Sequence, residues 1–247
     1  MLLKDKTAVI SGSNRGIGKS IVEIFSKNGA NIFACARNVD RDFIKYLNDL
    51  EDKFNNKIFP VQLEFKSKES INEAAKKILG QQTSIDILIN NAGIIHTALF
   101  QMTSRKSFED IFETNYFAQT SFTQQIIKPM IKNKSGSIIY ISSSSALDGN
   151  VGRSAYSASK AAMIAEAKVL SKELGNHNIR VNTIAPGLTE TDMMRDNTQE
   201  SVINETLSKI SLKRIAEPIE IANTALFLSS NISSYITGQV IRVDGGM

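Results

Sequence analysis

Seven short apolar runs, each set apart from the next by a longer stretch, constrain this chain more than any other feature. They fall at residues 7–11, 31–36, 58–63, 86–90, 137–142, 179–184 and 239–243, and all are rich in Val, Ile and Leu. Short continuous apolar runs of this kind read as strands covered on both faces. Between them Ile17, Ile21, Ile24 and Phe25 recur at helical spacing, and Ile71, Ala74, Ala75 and Ile78 repeat the pattern, so the connectors are helices with one buried face. This alternation predicts an α/β fold: a doubly wound, seven-stranded parallel sheet with right-handed crossovers and helices on both faces. No linker-like composition divides the 247 residues, which suit one domain. Residues 186–215 break the rhythm with a long polar, methionine-containing excursion. It reads either as a substrate lid or as a packed pair of surface helices.

Composition removes several classes of function. A single cysteine, Cys35, permits neither an intrachain disulfide nor a thiolate-built metal site, and His96 and His177 are too few and too separated for a typical zinc set, so no metal is expected. No apolar stretch reaches the roughly 18–20 residues that span a bilayer, and the chain enters its first strand without room for a signal peptide. A cytoplasmic protein without membrane contact is therefore expected. The formal net charge is +4, yet Lys and Arg are interspersed with acids, as in Lys66-Ser67-Lys68-Glu69. That pattern argues against a nucleic-acid stripe and favours a small anionic ligand.

Directly after the first strand comes Gly12-Ser13-Asn14-Arg15-Gly16-Ile17-Gly18, running into a helix. Glycines permit a tight turn there, and free amides at a helix start face a pyrophosphate. Packing alone also produces such turns, so the motif by itself leaves dinucleotide binding open. About twenty residues on, an acid would hold the ribose hydroxyls of NAD. This chain has Arg37 instead, and Arg15 sits within the loop. Two guanidinium groups without a carboxylate suit a 2′-phosphate, favouring NADP(H). The fourth strand ends in Asn90-Asn91-Ala92-Gly93, where small residues let backbone lie against a ribose and an asparagine ties neighbouring strands; a plain turn is the alternative.

Tyr156-Ser157-Ala158-Ser159-Lys160 opens a helix, and its i, i+4 spacing puts phenol and ammonium on one face, where the cation favours phenolate. Such pairs are common on ordinary helices. What singles this one out is Ser143, just past the fifth strand, at the sheet edge where ligands bind in doubly wound folds. The three suit protonation of a carbonyl oxygen. A serine nucleophile is the rival chemistry, but the chain lacks a G-x-S-x-G elbow and neither histidine has the context of a base. A cofactor-sensing module without chemistry is a further alternative, and one that would not need these three side chains.

In order and spacing, the glycine loop, Asn90-Asn91-Ala92-Gly93, Asn115, Ser143, Tyr156-x-x-x-Lys160, Pro186-Gly187 and the closing Tyr235 to Met247 segment resemble the classical short-chain dehydrogenases/reductases over the whole chain. Within that family the sequence is most similar to 3-oxoacyl-[acyl-carrier-protein] reductases of fatty acid synthesis. The resemblance implies a Rossmann-type fold in which Tyr156 donates the proton, Lys160 binds the nicotinamide ribose and lowers the phenol pKa, Ser143 orients the carbonyl, and Asn115 supports a proton relay to Lys160. It further implies NADP(H) contacts from Gly12, Ser13, Asn14, Arg15, Gly16, Ile17 and Gly18 at the pyrophosphate and Arg37 at the adenosine phosphate. Glu64 and Phe65 would lie beside adenine, Asn91, Ala92 and Gly93 beside ribose, and Pro186, Gly187 and Thr189 near the nicotinamide. Glu64 stands where the family usually has Asp or Asn. The substrate would be a small carbonyl compound, presented by acyl carrier protein near Lys132 and Lys134, although His177 replaces a usual arginine and Ile94-Ile95-His96-Thr97 departs from the usual turn. Reductases of other ketones, sugars or polyketides share the pattern. His96 reads as a rim residue without chemistry. A homotetramer built from helices near residues 108–131 and 156–174 and from the last strand is also implied.

Overall fold

The computed structural model describes residues 1–81 and 84–247. Its first half runs β1 (Thr7–Ser11), α1 (Gly16–Lys27), β2 (Asn31–Ala36), α2 (Arg41–Phe54), β3 (Ile58–Gln62), α3 (Lys68–Leu79), β4 (Ile87–Asn90), α4 (Arg105–Phe112) and α5 (Ala118–Asn133). The second half runs β5 (Gly136–Ile141), α6 (Ser145–Asp148), α7 (Ser154–Glu173), β6 (Ile179–Pro186), α8 (Asp192–Asn197), α9 (Glu200–Lys209), α10 (Pro218–Ser229) and β7 (Val240–Val243). All strand pairs are parallel, in the order β3-β2-β1-β4-β5-β6-β7. The expected strands form within one or two residues of their anticipated ends, the largest difference being β6, which continues to Pro186.

Strand alternation sorts side chains into two cores. Ala8, Ile10, Ile32 and Ala34 face α1, α2 and α10, whereas Val9, Phe33 and Cys35 face the layer of α3, α5 and α7. Both faces of the sheet are thus dry, which is why its strands read as apolar runs rather than alternating ones. Pro60 lies in β3, an edge strand, where a missing N–H costs no ladder bond between two neighbours. The chain builds outward from β1 to β3, then returns to place β4 on the other side of β1. Strand order reverses there, so the carboxyl ends of β1 and β4 diverge into a crevice. Residues 186–215 contain a helix pair, α8 and α9, above that edge.

Among the described residues, no helix is long and apolar enough to cross a membrane, and no group of three His, Cys, Asp or Glu side chains is arranged to hold a metal ion.

Candidate active site and dinucleotide cleft

A cleft of about 960 Å³ opens at the carboxyl edge of the sheet. At one end it is lined by Gly12, Asn14, Arg15, Gly16, Ile17, Arg37, Glu64 and Phe65; at the other by Ser143, Tyr156, Lys160, Pro186, Gly187 and Thr189, with Asn91, Ala92 and Gly93 between. Asn115 and Gly18 lie behind the wall rather than in it.

The glycine loop is shaped by close approach. Gly12 has φ +68°, and a Cβ there would stand 2.9 Å from Asn91 Nδ2; one at Gly18 would collide with the Gly12 carbonyl oxygen. Helix α1 begins without a side-chain cap and without an acid in its first turn, so its first amides and the positive end of its dipole are uncompensated. This cradle fits a pyrophosphate. Ser13 departs from expectation. Its hydroxyl turns inward to donate to the Ile10 carbonyl at 2.7 Å, and the residue is fully buried, so it shapes the turn instead of lining the cleft. Asn91 Nδ2 is likewise committed to the carbonyls of Ser11 and Gly12, at 2.9 and 3.1 Å, strapping β4 to the glycine turn. Arg37 and Glu64 face one another across the far end at 4.0 Å, so the guanidinium expected to stand without an acid has one nearby.

Tyr156 lies in the first turn of α7 and Lys160 one turn later; both side chains are buried. Ser142 Oγ donates to the Lys160 carbonyl at 2.9 Å, and Lys160 Nζ donates to the Ile141 carbonyl at 2.7 Å, so the end of β5 grips this helix from two directions. Burial pushes the lysine down to about 8. Burial also raises the Tyr156 phenol above its ordinary value, while the Ser143 hydroxyl and, more weakly, the Arg153 charge act to lower it. The expected lowering by Lys160 is therefore not the leading influence in this geometry. The ammonium is spent on a backbone carbonyl, and dehydration of the phenol outweighs its neighbours.

Asn115 is reached by a device that periodicity does not reveal. Between α4 and α5 the helix widens into a π turn over Glu113–Phe117. Fully buried, Asn115 donates through Nδ2 to the Ile94 carbonyl at 2.9 Å and to Ser159 Oγ at 3.0 Å, while Oδ1 accepts from the Ile94 amide at 2.8 Å. Ser159 in turn donates to the Tyr156 carbonyl at 2.7 Å. Asn115 thus joins the loop after β4 to the turn carrying Tyr156. Gln119, which the sequence did not single out, donates to the carbonyls of Asn115 and Ala92 and so ties the π turn to the loop after β4. Its only sequence signal is a glutamine among buried helix positions.

Lys132 in the last turn of α5 and Lys134 just after it precede the amino end of β5, and His177, after α7, precedes that of β6, all at the opposite edge of the sheet from the cleft. Position alone thus separates the expected carrier-facing residues from the reacting end within one chain. His96 follows Ile95 of the cleft wall but does not itself line the cleft, and its Nε2 is buried and unpartnered.

A glycine cradle at the β1 turn, joined by one cleft to a buried tyrosine and lysine beside Ser143, defines a dinucleotide-dependent oxidoreductase site, and the chain belongs to the short-chain dehydrogenase/reductase family. A family model described as enoyl-(acyl carrier protein) reductase matches residues 12–247. Among full-length relatives, the 3-oxoacyl-[acyl-carrier-protein] reductase FabG of Chlamydia muridarum is 40% identical over 246 residues, covering 100% of this chain and 98% of the relative. That of Aquifex aeolicus is 38% identical, covering 99% and 98%. Among solved structures, a 7α-hydroxysteroid dehydrogenase complexed with NADH and 7-oxo glycochenodeoxycholic acid superposes with a TM-score of 0.91 at 32% identity, covering 99% of this chain and 94% of the other. A protein of Beutenbergia cavernae described as a putative NAD(P)-dependent gluconate 5-dehydrogenase, with NADP bound at low occupancy, gives a TM-score of 0.91 at 29% identity, covering 99% and 97%.

Proposed function

We propose that this protein reduces the 3-oxo group of a 3-oxoacyl thioester to a hydroxyl with NADPH, the acyl chain being carried on acyl carrier protein in fatty acid synthesis. The observation that carries the reading is the buried Tyr156 phenol beside Ser143 at the carboxyl end of β5, with Lys160 one helical turn behind it. When bound, the dinucleotide supplies the hydride that reaches the carbonyl carbon.

The chain's own residues do the rest. Ser143 orients the carbonyl oxygen, and Tyr156 gives it the phenolic proton as charge develops there. Because burial holds the phenol protonated, the acid form is the one present at neutral pH. Lys160 would hold the nicotinamide ribose and restore the proton, and Asn115 is a positioning residue for the turn that bears Tyr156. Asn14, Arg15, Gly16 and Ile17 would hold the pyrophosphate, Arg37 the 2′-phosphate, and Phe65 and Glu64 the adenine; Pro186, Gly187 and Thr189 would border the nicotinamide. The α8–α9 pair acts as a lid over the substrate end, which Met193, Met194 and Val202 line. In solution the chain forms a homotetramer in the cytoplasm.

The test is a panel of a 3-oxobutanoyl thioester, a 2-enoyl thioester and cyclohexanone, each with NADPH and with NADH. Turnover of the 3-oxo thioester, faster with NADPH, is expected, and Tyr156→Phe should cost roughly 10²–10⁴-fold in kcat. Reduction of the enoyl thioester alone would replace this reading with double-bond reduction. NADPH binding without any turnover would favour a sensor, and full turnover by a folded Tyr156→Phe protein would remove the tyrosine from the mechanism.

A further inference from the structure

Arg153 precedes α7 by one residue and stands three positions before Tyr156, on the cleft wall. One edge of its guanidinium is occupied: Nη2 donates to the Asn197 carbonyl at 2.8 Å and lies 3.4 Å from Thr198 Oγ1, at the junction of α8 and α9. The other edge is not. Nη1 is buried from solvent and has no hydrogen-bond partner. Among the described residues no carboxylate forms an ion pair with this arginine, whereas Arg37 at the far end of the same cleft faces Glu64 at 4.0 Å. A guanidinium has donors only, and this one lacks both a counter-charge and a full set of acceptors; its Nη1 is closed to solvent, so an incoming oxygen reaches it by a turn of the side chain toward the cleft that Arg153 lines.

We propose that Arg153 is a specificity residue that receives a second oxygen of the substrate, adjacent to the carbonyl held by Ser143 and Tyr156, and so selects 1,3-dicarbonyl compounds over isolated ketones. The inference rests on the reading of the site as a carbonyl reductase. A 3-oxoacyl thioester presents its thioester oxygen two carbons from the reacting oxygen, and the planar fork that already holds the lid hinge has a free donor for it. The same contact joins lid and substrate through one side chain: α8–α9 is fastened by one edge, the acyl group by the other.

Steady-state kinetics of wild type, Arg153→Lys, Arg153→Gln and Arg153→Ala with NADPH test this, using a carrier-free 3-oxobutanoyl thioester and cyclohexanone. Arg153→Ala should raise the thioester KM about tenfold to a hundredfold, the range of a lost hydrogen bond to a charged group. Arg153→Lys should recover part of that loss, and Arg153→Gln should recover less. The KM for NADPH and the melting temperature should stay near wild type, and any cyclohexanone KM should move less than twofold. A thioester KM within twofold of wild type in Arg153→Ala would overturn the proposal. So would a parallel rise in the KM of thioester and NADPH, which would mark Arg153 as a structural fastening of the lid alone. Wild type inert toward every carbonyl compound would instead defeat the reductase reading, and this inference with it.

Discussion

At the scale of single residues, the site depends on what burial does to two titratable groups. Lys160 ionises at about 8 when folded, against an ordinary value near 10.5, because its ammonium is dehydrated. Between those two values the unfolded chain carries a proton that the folded chain has released. Stability contributed by this group therefore rises with pH across that window, the reverse of a lysine that gains a carboxylate partner. Relative to Lys160→Met, the cofactor-free protein should gain on the order of 2 kcal/mol between about pH 8 and about pH 10. Urea unfolding midpoints of the two proteins along that series measure the gain, and a difference independent of pH would contradict it. Tyr156 does not interfere: its folded pKa is raised, so its effect on stability, a loss with rising pH, begins only above its ordinary value of about 10.

At the scale of elements, legibility followed the range of the interaction. Strands β1 to β7 were readable because sheet burial on both faces writes itself locally as an apolar run, and Ser143, Tyr156 and Lys160 because a strand end and an i, i+4 step fix their neighbourhood. The π turn over Glu113–Phe117 was not, since widening a helix by one residue leaves no periodic trace. Arg153 carries no local signal, because its partner, Asn197, lies 44 residues away. Ser13 sits inside a legible motif, yet its direction was set by the Ile10 carbonyl, which no motif encodes. The glycine turn shows the readable kind at its strictest. A methyl group at position 18 would meet the Gly12 carbonyl oxygen and stand 2.6 Å from Asn91 Nδ2, neither of which can yield without moving β1 or the strap from β4. Gly18→Ala should therefore displace the start of α1, destabilise the fold by about 1–3 kcal/mol and weaken NADPH binding at least tenfold. Thermal melting and fluorescence titration report the two effects separately. Wild-type affinity in the variant would show that the helix start need not seat against β1.

At the scale of the whole molecule, one chain leaves apolar surface that its own cores do not use. Phe117, at the end of the π turn, is 56% exposed, with the rings of Tyr116 and Phe112 tilted against it at centroid distances of 5.3 and 6.2 Å. Val169, on α7, is 52% exposed, and contacts between the π turn and α7 put both helices on one side of the molecule. A large aromatic ring left mostly open to water, on partly buried neighbours, is costly unless another surface covers it. Cyclic and dihedral assemblies cover such a patch with the same patch of a second copy, which is how a homotetramer would use these helices. Placing a carboxylate at the centre of a self-complementary contact sets like charges against each other across the symmetry axis, while costing an isolated chain little at so exposed a position. In the proposed homotetramer, Phe117→Glu should therefore shift the assembly toward dimer or monomer in light scattering, with the far-ultraviolet circular dichroism unchanged. A tetramer of undiminished stability on dilution would mean that the aromatic cluster lies outside the subunit contacts.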